Sequence, residues 1–114
     1  MEKPDGWNEI KELVSARLGV PEELFFQKTR KKDVVLARRI FYILCSRTIC
    51  RTLNQEQFVS LMGEKWDDRS ILSYYEKCHT NDMQVIKDYR QQFKSMHREA
   101  KNIQRKYIRK VTEQ

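Results

Sequence analysis

Between Gln27 and Leu44 the chain reads Gln-Lys-Thr-Arg-Lys-Lys-Asp-Val-Val-Leu-Ala-Arg-Arg-Ile-Phe-Tyr-Ile-Leu. Lys28, Arg30, Lys31 and Lys32 crowd one short stretch, and Arg38 and Arg39 follow in the amphipathic run behind it. Cations at that density suit the holding of a phosphate backbone, where each makes a charge-assisted hydrogen bond and displaces a counterion. A second polar set follows at Arg69, Ser70, Ser73, Tyr74 and Lys77. Arginine can meet guanine through two parallel hydrogen bonds, and serine can meet a base or a phosphate. No nucleophile with its base, no paired carboxylates and no ligand cluster stands out, so neither an enzyme nor a cofactor is expected.

The cysteines do not change that view. Cys45, Cys50 and Cys78 form no Cys-x-x-Cys pair, and their odd number points to free thiols in a reducing compartment. Cys78 and His79 are adjacent, so on a helix their side chains diverge, and no metal site is expected. His97 falls in a charged segment and is expected to face water.

The 114 residues suffice for one domain with an appended element, and 23 Lys and Arg against 16 Asp and Glu leave a formal charge of +7. That excess favours polyanionic partners, nucleic acid ahead of an anionic membrane. No apolar run approaches the roughly 20 residues that span a bilayer, and the opening Met-Glu-Lys-Pro-Asp-Gly has no signal-peptide core. The expectation is a soluble, cytoplasmic, nucleoid-associated protein without a membrane partner.

Only three glycines and two prolines interrupt the sequence, and apolar residues recur at threes and fours, so the expected fold is all-α. A first helix from about Trp7 to Leu18 turns Ile10, Leu13, Val14 and Leu18 inward and ends at Gly19. Pro21 opens a short helical turn through Phe25. The next helix starts near Asp33, its expected cap, and buries Val34, Ala37, Ile40, Phe41, Leu44 and Cys45, with Arg38, Arg39 and Tyr42 off that face. A helix from Leu53–Asn54 to Gly63 buries Phe58, Leu61 and Met62. After Glu64-Lys65-Trp66, Asp67 or Asp68 caps a further helix that runs to about His79, anchored by Ile71, Leu72, Tyr75 and Cys78. Two helices joined by a short glycine-containing turn read as a helix-turn-helix whose second member is the reader.

The basic run and its helix, Val35-Leu36-Ala37-Arg38-Arg39-Ile40-Phe41-Tyr42-Ile43-Leu44, resemble the C-terminal DNA-binding domain of the bacterial replication initiator DnaA. That family's helix reads roughly Val-Leu-Ala-Arg-Gln-Ile-Ala-Met-Tyr-Leu, and an amphipathic helix, a Gly-Val-x-x-x-x-Leu turn and a basic loop precede it. The resemblance covers about Ile10 to Phe93. It implies a Trp-repressor-like helix-turn-helix on double-stranded DNA, with Arg30 in the minor groove, Lys28 and Lys32 beside it, and Arg38 on the backbone. The family's reader opens close to Asp-His-Thr-Thr-Val, against Asp67-Asp68-Arg69-Ser70-Ile71 here. Asp67 and the Ser70 hydroxyl are kept in type, whereas Asp68 and Arg69 replace the histidine and first threonine, which implies a different recognised sequence. The family's ATPase has no counterpart, for no Gly-x-x-x-x-Gly-Lys-Ser/Thr loop is present and no nucleotide is expected. The resemblance thus implies a bacterial or mobile-element DNA-binding regulator or accessory protein in replication or transcription.

Residues 1–93 are taken as this domain and 94–114 as a basic helical extension. From Asn81 to about Val111 one long helix is expected, its start suited to Asn81 and Asp82, with Ile86, Tyr89, Phe93, Met96, Ala100, Ile103 and Tyr107 forming a stripe. Beyond Met96 the stripe is expected to outrun the core. Its cover is then the chain's own first helix, a second copy in a homodimer, another protein's helix, or DNA. A protein-interaction module using this helix on the same scaffold is the alternative function.

Overall fold

The computed structural model describes residues 2–62 and 70–112, the stretch 109–112 by its helical backbone alone. The helix α1, Trp7–Leu18, is bracketed by two glycines in the left-handed region, Gly6 at φ 93° and Gly19 at φ 68°. Gly19 closes the helix by donating its N–H to the Ser15 carbonyl at 2.9 Å, the expected C-terminal cap. Gly6 is needed for space as well as for its φ, since a Cβ there would lie 3.1 Å from Ile103 and 3.3 Å from Ile49. A single 3-10 turn, Glu22–Leu24, follows Pro21.

Helix α2, Lys32–Arg47, is the centre of the molecule, packed against α1 and against α4 (Ser70–Val85) and α5 (Lys87–Thr112). Its expected buried face is buried in full, and Arg38, Tyr42 and Ile43 are buried too. Position 33 does not cap it: the N-cap is Lys31, and the Asp33 carboxylate accepts from the N–H of Val34. The far end of α2 is closed by Thr48 Oγ1 donating to the Leu44 carbonyl and the Cys50 N–H donating to that of Cys45, both at 2.7 Å. Helix α3, Gln55–Met62, opens with a reciprocal capping box. The Gln57 N–H reaches Asn54 Oδ1 at 2.8 Å, and the Asn54 N–H reaches Gln57 Oε1 at 2.9 Å. Phe58, Leu61 and Met62 point inward as expected.

The described residues contain no strand, and the fold is all-helical. Two boundaries differ from expectation. The reader helix does not stop near His79 but runs on as α4 to Val85, and α5 begins at Lys87 rather than Asn81. Asp82 caps no helix start: it lies inside α4, and its carboxylate pairs with Arg39 at 2.5 Å. With no glycine or proline nearby, the helical bonds continue, Ile86 N–H to the Asp82 carbonyl and Arg90 N–H to that of Ile86. Ile86 and Val85 stand exposed at this corner, so Ile86 is not part of the buried stripe.

The rest of that stripe is covered from within the chain, which is one of the four covers expected for it. Phe93, Met96 and Ala100 are buried, the last at 0 % exposure, and Ile103 packs against the core. Helix α5 lies antiparallel to α1, with Glu99 on Arg17 at 2.6 Å and Lys106 on Glu9 at 3.0 Å. Tyr107 also donates to the Glu9 carboxylate. Gln104 reaches across to α2, donating to the Thr48 carbonyl at 3.0 Å. The first helix is therefore what covers the seam.

Histidines mark the α4–α5 contact. His79 is buried, its Nδ1 2.7 Å from the Tyr89 hydroxyl and its ring 4.3 Å from that of Phe93. His97 is half-buried against Phe93 rather than exposed as expected. Burial lowers the pKa of both below the usual imidazole value. Arg47 and Arg39 add to the shift at His79 and Glu76 and Asp82 oppose it, while Lys101 and Arg47 add to it at His97. The unfolded chain then takes up protons near pH 6.5 that the folded chain refuses. Stability is therefore expected to be full above about pH 7 and to fall as pH drops through the depressed values. Urea midpoints from pH 7.5 down to 5 (roughly the imidazole range) check this, and His79→Gln is expected to flatten the slope.

Candidate functional site

The basic loop and the start of α4 are joined by one side chain. Arg38 was expected on the outer face of α2, touching a phosphate backbone; it is instead 2 % exposed. Its Nε donates to the Phe25 carbonyl at 2.5 Å, Nη2 to the Gln27 carbonyl, and Nη1 to the Tyr75 hydroxyl of α4 at 3.1 Å. A planar guanidinium with a fixed fork of donors is suited to that task, and the loop's first residues are thereby held within a guanidinium's span of α4. Arg39 is also turned from its expected role, since it pairs with Asp82 and its guanidinium lies over the Tyr89 ring, 5.3 Å from the centroid. The physical reason is shared: α4 and α5 cover flanks of α2 that lie outside its most apolar stripe, so off-stripe positions become interior.

What remains outward is the loop itself. Lys28, Arg30, Lys31 and Lys32 are all exposed and form no salt bridge among the described residues. The Thr29 hydroxyl accepts from the Lys31 N–H at 3.3 Å, a local turn within this run. From there the backbone enters α2 directly, with the Val35 N–H on the Lys31 carbonyl at 2.9 Å.

On α4, Ser70, Ser73, Tyr74 and Lys77 are exposed, and their spacing puts them in one row. Tyr74 is 61 % exposed, an unusual position for an aromatic ring without a partner surface. Ser73 exchanges hydrogen bonds with the Gln55 amide at 3.2 and 3.4 Å, so the first turns of α3 and α4 touch. An open cleft between them is lined by Asn54, Gln55, Glu56, Ser70 and Ser73. Leu72 and Tyr75 anchor the opposite face in the core, with Ile71 and Cys78 half-buried. Asp67, Asp68, Arg69 and the connection through Gly63 and Trp66 lie outside the described residues.

The structure thus brings the loop cations and the α4 row onto neighbouring elements and withdraws Arg38 and Arg39 into the interior. Sequence reasoning missed Tyr75 as the hydroxyl that receives Arg38, and Gln55 as the partner of Ser73. Both were visible only as an anchor and an N-terminal helix residue. Among the described residues no group of three or more His, Cys, Asp or Glu is placed to hold a metal ion, and no helix is long and apolar enough to cross a membrane. The three cysteines are free thiols, and burial pushes Cys45 well above the usual thiol range. No family model matches the chain, and neither a curated protein nor a solved structure matches it.

Proposed function

We propose that this chain is a sequence-specific double-stranded DNA-binding protein, built like the DnaA box-binding domain but without an ATPase, and that it serves as a regulator or accessory protein in replication or transcription. The observation that carries the reading is the juxtaposition held by Arg38: an exposed loop of four cations, without a salt bridge among the described residues, tied directly to a helix with an exposed polar row. In this reading Lys28, Arg30, Lys31 and Lys32 hold the phosphate backbone and the minor groove. Helix α4 enters the major groove as the second element of a helix-turn-helix, with Ser70, Ser73, Tyr74 and Lys77 along its outer row, and Asp67 and Arg69, which precede it in the sequence, are assigned to the same contact. Arg69 is assigned to guanine, where a bidentate pair discriminates by about 1–3 kcal/mol.

The test is fluorescence anisotropy against a randomised duplex pool over a salt series, with sequencing of the retained fraction. Replacing all four loop cations by alanine is expected to cut the salt slope by about 0.9 per lost phosphate contact, as much as about four in all. Arg69→Ala is expected to relax the preference at one position and leave the slope within about one of the parent value. Binding whose salt slope survives the loop substitutions would refute the assignment of the loop.

A further inference from the structure

Helix α5 carries a second electrostatic feature, distinct from the loop and from the α4 row. Lys87, Lys94, Arg98, Lys101 and Arg105 are all exposed, and with 3.6 residues per turn they fall within about 60° of one another around the axis. They form a straight row about 27 Å long at 1.5 Å per residue. Between the first two, Gln91 continues the same line. The acids of α5 lie elsewhere on the wheel: Glu99 is on the flank that pairs with Arg17, and Asp88 is off the row. No cation of the row forms a salt bridge among the described residues, whereas Lys106, off the row, is paired with Glu9.

Like charges three and four residues apart repel, so a row of this kind is costly to the free helix. The opposite face of α5 is consumed by the protein's own core, through Phe93, Met96 and Ala100. That removes the apolar face a helix needs to lie in a membrane surface: of the residues flanking the row, Gln91, Ser95 and Asn102 are polar, and Ile108 is the one exposed large apolar side chain of α5 among the described residues. The row therefore calls for a partner that is itself a line of negative charge. Its length exceeds the roughly 12 Å width of the major groove, so its two ends can meet the phosphates of both strands.

We propose that the outer face of α5 is a second contact with the sugar-phosphate backbone of duplex DNA, adding affinity without base preference. This rests on the duplex-binding reading above, and the two can fail separately. The experiment compares wild type with the quadruple variant K94Q/R98Q/K101Q/R105Q and with a charge-preserving variant, K94R/R98K/K101R/R105K. Each binds a 30-base-pair duplex (about three helical turns) across a salt series, with thermal melts alongside. Glutamine keeps helix propensity close to that of lysine and arginine, so the fold is expected to persist.

The neutral variant is expected to bind at least about tenfold more weakly near 0.1 M salt, with a salt slope lower by about two to four, and to enrich the same motif as wild type. The charge-preserving variant is expected to match wild type. A wild-type slope in the neutral variant, while the loop variant loses its own share, would overturn this second contact and leave the proposed function standing. Loss of affinity in the charge-preserving variant, or loss of binding to phosphatidylserine vesicles with an unchanged duplex slope, would also overturn it. No duplex binding by wild type would remove both readings.

Discussion

Arg38→Met is expected to lower the unfolding free energy by about 3–5 kcal/mol, more than an exposed DNA-contacting arginine could cost. The guanidinium satisfies the carbonyls of Phe25 and Gln27 and the hydroxyl of Tyr75 in the interior. Methionine fills much of the volume but leaves those groups without their donor, each at a penalty of about 1–3 kcal/mol when buried. Arg38→Lys is expected to recover only part, since a single ammonium cannot span acceptors arranged around a planar fork. Urea unfolding gives the free energies. Duplex binding by the methionine variant should weaken because the loop is no longer tied to α4, yet the salt slope should hold, as no phosphate contact is removed. Unchanged stability with a slope reduced by about one would return Arg38 to the DNA surface.

Trp7→Ala is the second large effect, expected at about 3–5 kcal/mol and a melting temperature lower by more than about 10 °C. The indole is 1 % exposed and sits where several elements meet. Its ring centroid is 4.9 Å from Phe41 of α2 in an edge-on arrangement, 5.5 Å from Phe58 of α3 and 6.1 Å from Phe26. Alanine removes the aromatic contact of α1 with α3, leaving Phe58 with Tyr42, 4.9 Å away. Hydrogen exchange should therefore accelerate first in α3. Because Gln55 of α3 supports Ser73, duplex affinity is expected to fall with it. Uniform acceleration across α1, α2 and α3 would instead mean that the cluster stabilises the fold as a whole.

What the sequence reveals here depends on whether the signal is local. The glycine that ends α1, the proline before the 3-10 turn and the apolar spacing of α2 are decided within a few residues, and the structure agrees with each. The exposure of Lys28, Arg30, Lys31 and Lys32 was likewise legible, because a dense run of cations cannot be buried. The fate of Arg38, Arg39 and Tyr42 was not, since it depends on how many helices lean on α2. Asp82 looked like a cap, and its engagement by a residue 43 positions earlier is invisible to any local pattern. His97 was misjudged because its burial against Phe93 depends on how α5 sits in the bundle, and which of the expected covers lies on the α5 stripe was decided only by the long-range pairing with α1.

The pairing of α1 with α5 joins residues 82 and 98 positions apart, Arg17 with Glu99 and Glu9 with Tyr107. At a synthesis rate of about 5–20 residues per second, roughly 5–20 seconds separate the emergence of these partners from the ribosome. For that interval the flank of α1 around Gly6 waits for Ile103 to close over it. A nascent chain therefore has its basic loop before it has its last helix, and any grip on DNA at that stage would come from the loop alone. Only the emergence of α5 would bring its row into play, so the second contact would arrive together with the pairing of α1 and α5.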